Sequence, residues 1–287
     1  MPANPWLERR VIAYAHQGGA WEGPSSTLHT VAAGISAGAT AVELDVHATK
    51  DRHLVVCHDE TVDRTTDGAG QLCDLTLAEL QRLDNAHWWA PGADVSPGLE
   101  PGAYPFRGRA PEDRAFGVAT LGEVLEALEG IPVNLDIKRT APDVEPYEAL
   151  LAEELWRFDR ADVTIVASFS DVALRAFREV APEIATSLAT LETAEFFRAA
   201  RSGGEMPPTT GVALQVPVSF GEITVVDRPF VERAHAEGLA VHVWTINDVE
   251  QMRRLVDLGV DGIISDTPSV LAGVLAEAGC AWEGSGR

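Results

Sequence analysis

Short apolar segments rich in β-branched residues alternate along the chain with segments whose apolar residues recur every three to four positions. The first kind is typical of buried strands and the second of amphipathic helices, so their alternation indicates a parallel α/β fold. We expect a TIM-type (β/α)₈ barrel, although nine strand-like segments are one more than such a barrel needs. Either the third segment pairs with the second outside the barrel, or the sixth is not a strand. The predicted strands span residues 11–15, 41–46, 54–57, 132–137, 163–167, 184–188, 212–216, 240–244 and 262–265.

Capping residues mark the predicted starts of several helices. Ser26 precedes an apolar stripe with helical spacing. Thr120 is followed three residues later by Glu123, which is the spacing of a capping box, and Asn247 stands in the same relation to Glu250. These signals predict helices that follow the strands, as the alternation requires.

One long segment breaks the alternation. Residues 85–117 are rich in glycine and proline and contain the aromatic residues Trp88, Trp89, Tyr104 and Phe106. Disordered segments are poor in aromatic residues, so the composition favours an ordered cap over one end of the barrel. The alternative is a structural loop whose aromatic side chains form a small core of their own.

Length and charge narrow the class of protein. The chain has 287 residues, of which 46% are hydrophobic, enough for one large core and a single domain. The formal net charge of −22 disfavours nucleic acid and anionic lipid as partners. Three scattered cysteines suggest no disulfide framework, and no segment resembles a signal peptide or a membrane span. We therefore expect a cytoplasmic protein without a stable membrane anchor, and the oligomeric state stays open.

Two acidic residues interrupt an otherwise apolar strand. Glu43 and Asp45 alternate with apolar neighbours, so their side chains point to the same face, which in a barrel is the interior. Two carboxylates forced together in a low-dielectric site repel each other unless they are protonated or bridged by a cation. Hard oxygen ligands suit Mg²⁺ or Ca²⁺, so the pattern predicts a divalent metal site.

The same alternation recurs near the middle of the chain. Asn134, Asp136 and Lys138 share one face of a predicted strand. Asp136 is a candidate third metal ligand, and Lys138 is a candidate for balancing charge or holding a substrate anion.

Two histidines end predicted strands. His16 follows the first strand and His58 follows the third. Because catalytic groups of barrel enzymes come from the carboxyl ends of the strands, both histidines are expected at the catalytic mouth. Two imidazoles there can serve as general acid and general base, and phosphodiester cleavage needs both functions.

The chain resembles the glycerophosphodiester phosphodiesterase family. The likeness is carried by a Glu-x-Asp strand and Thr-Lys-Asp turn at 41–51, the His-Asp at 58–59, and residues 63–68, 243–247 and 259–268. The resemblance implies one domain over 1–287 with a TIM barrel and a small cap-like insertion after the third strand, at about residues 60–118. It further implies hydrolysis of a glycerophosphodiester to glycerol 3-phosphate and an alcohol. Implied site residues are the acid/base pair His16 and His58, the metal ligands Glu43, Asp45 and Asp136, and the substrate-binding residues Gln17, Lys138 and Trp244.

Three positions depart from the family pattern. Gln17 stands where the family has arginine, Ser25 where it has glutamate, and Asp136 where it usually has glutamate. A branch that resembles lysophospholipase D enzymes also carries aspartate at the last position, so lysophospholipid hydrolysis is one alternative. A barrel that binds phosphodiesters without cleaving them is a second, and a metal-dependent lyase or isomerase is a third.

Overall fold

In the computed structural model, which describes residues 4–9, 11–92, 95–138, 144–206, 208–280 and 282, eight parallel strands form a barrel. In spatial order they are β6, β5, β4, β2, β1, β11, β10 and β7, and a parallel bridge between Ser187 and Ala213 joins the last strand to the first. The predicted barrel is therefore confirmed. The barrel strands are β1 (Ile12–His16), β2 (Ala41–Ala48), β4 (Val133–Ile137), β5 (Thr164–Ala167), β6 (Ala185–Thr186), β7 (Ala213–Pro217), β10 (Ala240–Trp244) and β11 (Gly262–Ser265).

The third predicted strand, which is the one in excess of eight, lies outside the barrel. β3 (Leu54–Val56) runs antiparallel to β2, with Val46 opposite Val56. β6 is a true barrel strand, although only two residues long, and pairs with β5 through Ala185 and Ile165. The first of the two alternatives is thus confirmed. A two-stranded hairpin that was not predicted follows β7, formed by β8 (Ser219–Phe220) and β9 (Ile223–Thr224).

Helices connect the barrel strands and cover their outer faces. The capping box of Thr120 and Glu123 is present, as predicted. The predicted start at Ser26 is wrong by one residue, because Thr27 accepts the hydrogen bond from the Thr30 amide. The helices are α1 (Pro5–Glu8), α2 (Leu28–Ser36), α3 (Leu77–Leu80), α4 (Leu121–Ala127), α5 (Glu148–Arg157), α6 (Asp171–Val180), α7 (Thr190–Ser202), α8 (Arg228–Ala236), α9 (Val249–Leu258) and α10 (Pro268–Glu277). None of them, in the part of the chain described, is long and apolar enough to cross a membrane.

The amino end of the barrel is closed by the N-terminal helix. Trp6 of α1 is buried and packs in one cluster with Ile12 and Tyr14 of the barrel interior. The Asn4 side chain donates to the carbonyls of Val212 and Gly238. Val212 directly precedes β7, and Gly238 lies two residues before β10. The open end of the barrel is therefore the carboxyl end, where barrel enzymes carry their sites.

The aromatic residues between β3 and α4 pack together beside α2. Trp89 stacks on Phe106 with ring centroids 5.3 Å apart, and Phe106 lies 5.0 Å from Phe116. The Trp89 indole donates to the Ala20 carbonyl at 2.9 Å. None of the four aromatics singled out in the sequence lines the large cavity at the carboxyl end. The expectation that they form a cap facing the catalytic mouth is wrong, because these rings contact one another and His29 of α2 instead.

We expect Trp89→Ala to lower stability without changing substrate preference. Loss of a buried tryptophan in a packed core costs about 3–5 kcal/mol, and Trp89 is only 6% exposed. Urea unfolding measures the loss, and Trp21→Ala, at a residue 40% exposed, is the matched control that should cost less than about 1 kcal/mol. A selective loss of activity toward one substrate in a stably folded Trp89→Ala protein would contradict this assignment.

Candidate active site

A cavity of about 590 Å³ opens at the carboxyl end of the barrel. Strand ends and the loops that follow them form its walls, as expected for this fold. The predicted acid/base pair and all three predicted metal ligands line it together. The side chains that line its polar part are His16, Glu43, Asp45, His58, Asn134, Asp136 and Lys138.

Strand register brings these side chains to one level. Glu43 lies beside His16 of β1 on one side and beside Asn134 of β4 on the other. Two residues further along, Asp45 lies beside Asp136. The alternation read from the sequence therefore places inward-facing residues at matching levels on three neighbouring strands. The carboxylates converge because these strands are parallel and paired in this register.

The lysine after β4 compensates two of the acids. The Lys138 ammonium lies 2.9 Å from Asp45 Oδ1 and 3.0 Å from Asp136 Oδ2. Burial alone would lower the pKa of Lys138, but the two carboxylates outweigh burial and raise it. Burial raises the pKa of Asp136, and Lys138 opposes that effect only in part. One ammonium thus serves two buried acids.

Three acids and one lysine line the cavity, so the acids lack positive partners there. Burial and the neighbouring charge of Asp45 raise the pKa of Glu43 to about 8. Asp45 Oδ2 and Asp136 Oδ1 are buried and have no hydrogen-bond partner among the described residues. Buried polar atoms without partners are uncommon in folded proteins and need an explanation.

The carboxylates do not form a ready-made ligand set in this arrangement. Across the described ranges, no three histidine, cysteine, aspartate or glutamate side chains are arranged so that they could hold a metal ion. Lys138 lies between the two aspartates that the sequence predicts as ligands. The site nevertheless contains suitable ligand atoms for a cation, because it has three carboxylates, two of whose oxygens have no hydrogen-bond partner among the described residues.

His16 is held by an aspartate from the other end of the chain. Its Nδ1 donates to Asp266 Oδ1 at 2.5 Å, and Asp266 Oδ2 accepts from the Asn247 amide at 2.6 Å. Burial disfavours the charged imidazole, but the hydrogen bond to Asp266 and the charge of Glu43 outweigh it and raise the pKa of His16 to about 9. Nδ1 is thereby anchored, and Nε2 lies 3.7 Å from Glu43 Oε2.

His58 is held in a similar way by its neighbour in the sequence. Its Nδ1 lies 2.7 Å from Asp59 Oδ1, and Asp59 also accepts from the Arg64 guanidinium. Burial acts to raise the pKa of Asp59, but the hydrogen bonds from His58 and Arg64 outweigh it and lower the pKa. The His58 ring faces the His16 ring, with centroids 6.5 Å apart. His47 is not in the cavity lining, and its Nε2 lies 3.4 Å from the His58 carbonyl oxygen.

The three predicted substrate-binding residues have different positions. Lys138 and Trp244 line the cavity, and the Trp244 ring meets Phe169 edge to face at 5.7 Å. Gln17 is buried behind His16 and does not line the cavity. Its Nε2 lies 3.3 Å from His16 Nε2, and its Oε1 has no hydrogen-bond partner among the described residues.

Two positioning residues were missed in the sequence. Asp266 directly follows β11, so the same strand-end reasoning that found His16 could have found it. Asn247 was taken for a helix cap, but the cap of α9 is Asp248, whose side chain accepts from the Gln251 amide. The Asn247 side chain instead binds Asp266, because it stands at the mouth between β10 and the helix.

Comparisons with known proteins identify the family of the chain. Residues 16–270 match the model of the glycerophosphoryl diester phosphodiesterase family. A glycerophosphodiester phosphodiesterase from Caldanaerobacter subterraneus is 29% identical over 94% of this chain and 100% of its own length. A glycerophosphoryl diester phosphodiesterase domain from Mycobacterium tuberculosis superposes with a TM-score of 0.75 and 19% identity, covering 93% of this chain and 99% of that one.

A second solved structure carries a ligand. It is an Oleispira antarctica phosphodiesterase in complex with the product sn-glycerol-3-phosphate, with a TM-score of 0.71 and 25% identity over 94% of this chain and 99% of that one. The family match covers most of the sequence and includes every polar residue discussed above. The chain belongs to the glycerophosphoryl diester phosphodiesterase family, a family of phosphoric diester hydrolases.

Proposed function

We propose that this protein hydrolyses a glycerophosphodiester to glycerol 3-phosphate and an alcohol. His16 and His58 act as the acid/base pair, and a divalent cation, Mg²⁺ or Ca²⁺, is held by Glu43, Asp45 and Asp136. The observation that carries the proposal is that two histidines, each anchored by a carboxylate, lie with ring centroids 6.5 Å apart in a cavity lined by three further acids.

The donor chemistry supports a cation at the acids. Hard divalent ions prefer carboxylate oxygens, and two such oxygens here are buried without partners. Burial and the charge of Asp45 raise the pKa of Glu43, which is the effect expected where positive charge is lacking. A cation bound there would supply Lewis-acid polarisation of the phosphoryl oxygens.

The two histidines divide the proton transfers. Nδ1 of each ring is bonded to an aspartate, so Nε2 is the nitrogen used for chemistry, and Nε2 of His16 exchanges its 3.3 Å contact with the Gln17 amide for the substrate. One imidazole removes the proton from the attacking oxygen as the new P–O bond forms. The other donates a proton to the alcohol oxygen as the old P–O bond breaks, so the alcohol leaves neutral. Attack by water gives glycerol 3-phosphate directly. Attack by a neighbouring hydroxyl of the glycerol gives a cyclic phosphodiester, which water then opens to glycerol 3-phosphate with the roles of the two imidazoles exchanged.

The aspartates keep each ring in place for these transfers. Asp266 is itself held by Asn247, and Asp59 is held by Arg64. A base oriented by a third group is the arrangement found in activated nucleophile sites. Lys138, which contacts Asp45 and Asp136, supplies a positive charge that would partly neutralise the negative charge of a bound phosphate.

We expect Gln17→Arg to lower the Michaelis constant for a glycerophosphodiester by about tenfold. Gln17 does not line the cavity, but the longer arginine side chain, starting next to His16, would extend to the cavity and add a charge-assisted hydrogen bond to phosphate, worth roughly 1.5–3 kcal/mol. Steady-state kinetics measure the change, and Gln17→Met, which has similar length and no charge, is the control. A large loss of turnover in the arginine variant alone would mean that the pocket is shaped for a different head group.

The alternative of a barrel that only binds phosphodiesters is less well supported. Such a protein has no use for two anchored imidazoles beside three acids, and both anchors are intact. A panel of glycerophosphodiesters and lysophospholipids, assayed with Mg²⁺ and with Ca²⁺, tests the proposal. Release of glycerol 3-phosphate from at least one glycerophosphodiester is the expected result, and binding without turnover across the panel would contradict it.

A further inference from the structure

The cavity has two unlike halves. Its polar half holds the two histidines, the three acids and Lys138. These residues lie in β1, β2 and β4 or directly after β3 and β4. The lining contributed from β5 onward contains no Asp, Glu, Lys, Arg or His, although Asp, Glu, Lys and Arg make up 23% of the chain. This half is walled by what we call the apolar arm, formed by Phe169, Leu188, Phe197, Phe220, Ile223 and Trp244.

The outer end of the apolar arm is open to solvent. Phe169 after β5 is 59% exposed, and Phe220 and Ile223 of the β8–β9 hairpin are 75% and 52% exposed. Apolar side chains left in water at the mouth of a cavity mark a binding surface more often than scattered single residues do. Here they continue inward, through partly buried Phe197 and buried Leu188, to the catalytic groups.

We propose that the apolar arm binds one hydrocarbon chain of the substrate while its phosphodiester lies at the histidines. The natural substrate class is then a single-chain amphiphilic phosphodiester, such as a lysophospholipid. This inference rests on the proposed function, because it assigns the chain to a subsite of the same cavity. It places the chain opposite the aromatic cluster around Trp89, which is occupied by its own packing.

The features of the arm fit a hydrocarbon chain better than a head group. A polar head group could bond the uncharged Ser168, Thr190 and Gln215, and a quaternary ammonium could contact the aromatic rings. Either would find no charged partner in this half and would leave the apolar side chains at its outer end in water. A chain removes its methylenes from water along the whole arm, and each buried methylene contributes to affinity. The cavity size of about 590 Å³ lies in the range that holds small organic ligands.

Soluble substrates of graded chain length test the proposal. Two series are used, one with acyl chains of two to eight carbons on the glycerol of glycerophosphocholine and one with n-alkyl chains on the other alcohol of a glycerophosphodiester. In at least one series kcat/KM should rise by up to about fourfold per methylene, corresponding to ~0.8 kcal/mol, until the arm is filled. The series that shows the rise identifies which side of the phosphate carries the chain.

Variants at the mouth separate the arm from the rest of the surface. Phe220→Ser and Ile223→Ser should flatten the dependence of kcat/KM on chain length, and the loss for the longest chains should be at least tenfold larger than the loss for unsubstituted glycerophosphocholine. Val172→Ser is the control, since Val172 is 62% exposed but does not line the cavity. Chain-independent kcat/KM in both series, or equal effects of all three variants, would overturn the inference. The inference would also be overturned if the only effect of the hairpin variants were to dissociate a dimer, as measured by light scattering. The exposed apolar surface would then form a contact between two copies of the chain.

The outcomes also distinguish this inference from the proposed function. An enzyme that releases glycerol 3-phosphate from glycerophosphocholine but ignores chain length keeps the proposed function and loses the inference. A protein that turns over neither series loses both.

Discussion

His16→Ala and His58→Ala should each lower kcat by about 10²–10⁴-fold while the protein stays folded. General acid–base catalysis contributes about that much, and these two are the histidines that line the cavity within the described residues. Steady-state release of phosphomonoester measures the loss, and circular dichroism checks the fold.

The control for this pair is His53→Ala. His53 follows the turn after β2, and its side chain is 55% exposed and outside the cavity. Its replacement should leave kcat within about twofold, because exposed substitutions away from a site are usually close to neutral. Equal losses in all three variants would show that the histidines at the cavity have no special role.

Removal of divalent cations should abolish turnover, and Glu43→Gln or Asp45→Asn should lower kcat/KM by about 10²-fold or more. The reason is that Lewis-acid stabilisation by a bound ion is worth several kcal/mol. Activity after chelation, and after addition of Mg²⁺ or Ca²⁺, gives the first measurement. Isothermal titration calorimetry of each ion gives a second that does not depend on turnover.

A carboxylate outside the cavity provides the comparison. Glu126 is an exposed acid on α4, and Glu126→Gln removes the same charge as Glu43→Gln. Cation binding should survive the first substitution and weaken at least tenfold in the second. Full activity after exhaustive chelation, with calorimetry showing no binding, would rule out the cation.

The polar half of the site was predictable because it depends on local patterns. Alternation along β2 and β4 determines which side chains face the barrel interior, so Glu43, Asp45 and Asp136 could be grouped before their contacts were known. His16 and His58 follow strand ends, and parallel strands bring those ends to one edge. These inferences needed no knowledge of which distant residues contact each other.

The missed contacts depend on how distant parts of the chain meet. Asp266 reaches His16 across 250 residues of sequence, through the pairing of β1 with β11. The apolar arm is assembled from separate loops and a hairpin whose strands are two residues long, too short to give a periodic signal. The direction of the aromatic cluster around Trp89 was likewise open, because composition predicts order and carries no information about which neighbour a side chain packs against.

The fold itself was predictable except at its shortest elements. β10 and β11 match the predicted ranges, since both are mostly apolar and buried along nearly their whole length. β3 looked like a barrel strand because a buried antiparallel excursion has the same composition as a barrel strand. Only its pairing with β2, with Val46 opposite Val56, distinguishes the two.

The most direct measurement is phosphorus NMR of glycerophosphocholine incubated with the protein and Mg²⁺ or Ca²⁺. We expect the phosphodiester resonance to be replaced by that of glycerol 3-phosphate, and we expect that replacement to slow by about 10²-fold or more with His58→Ala. Persistence of the phosphodiester with the unaltered protein and either ion, or an unchanged rate in the His58→Ala variant, would contradict the account.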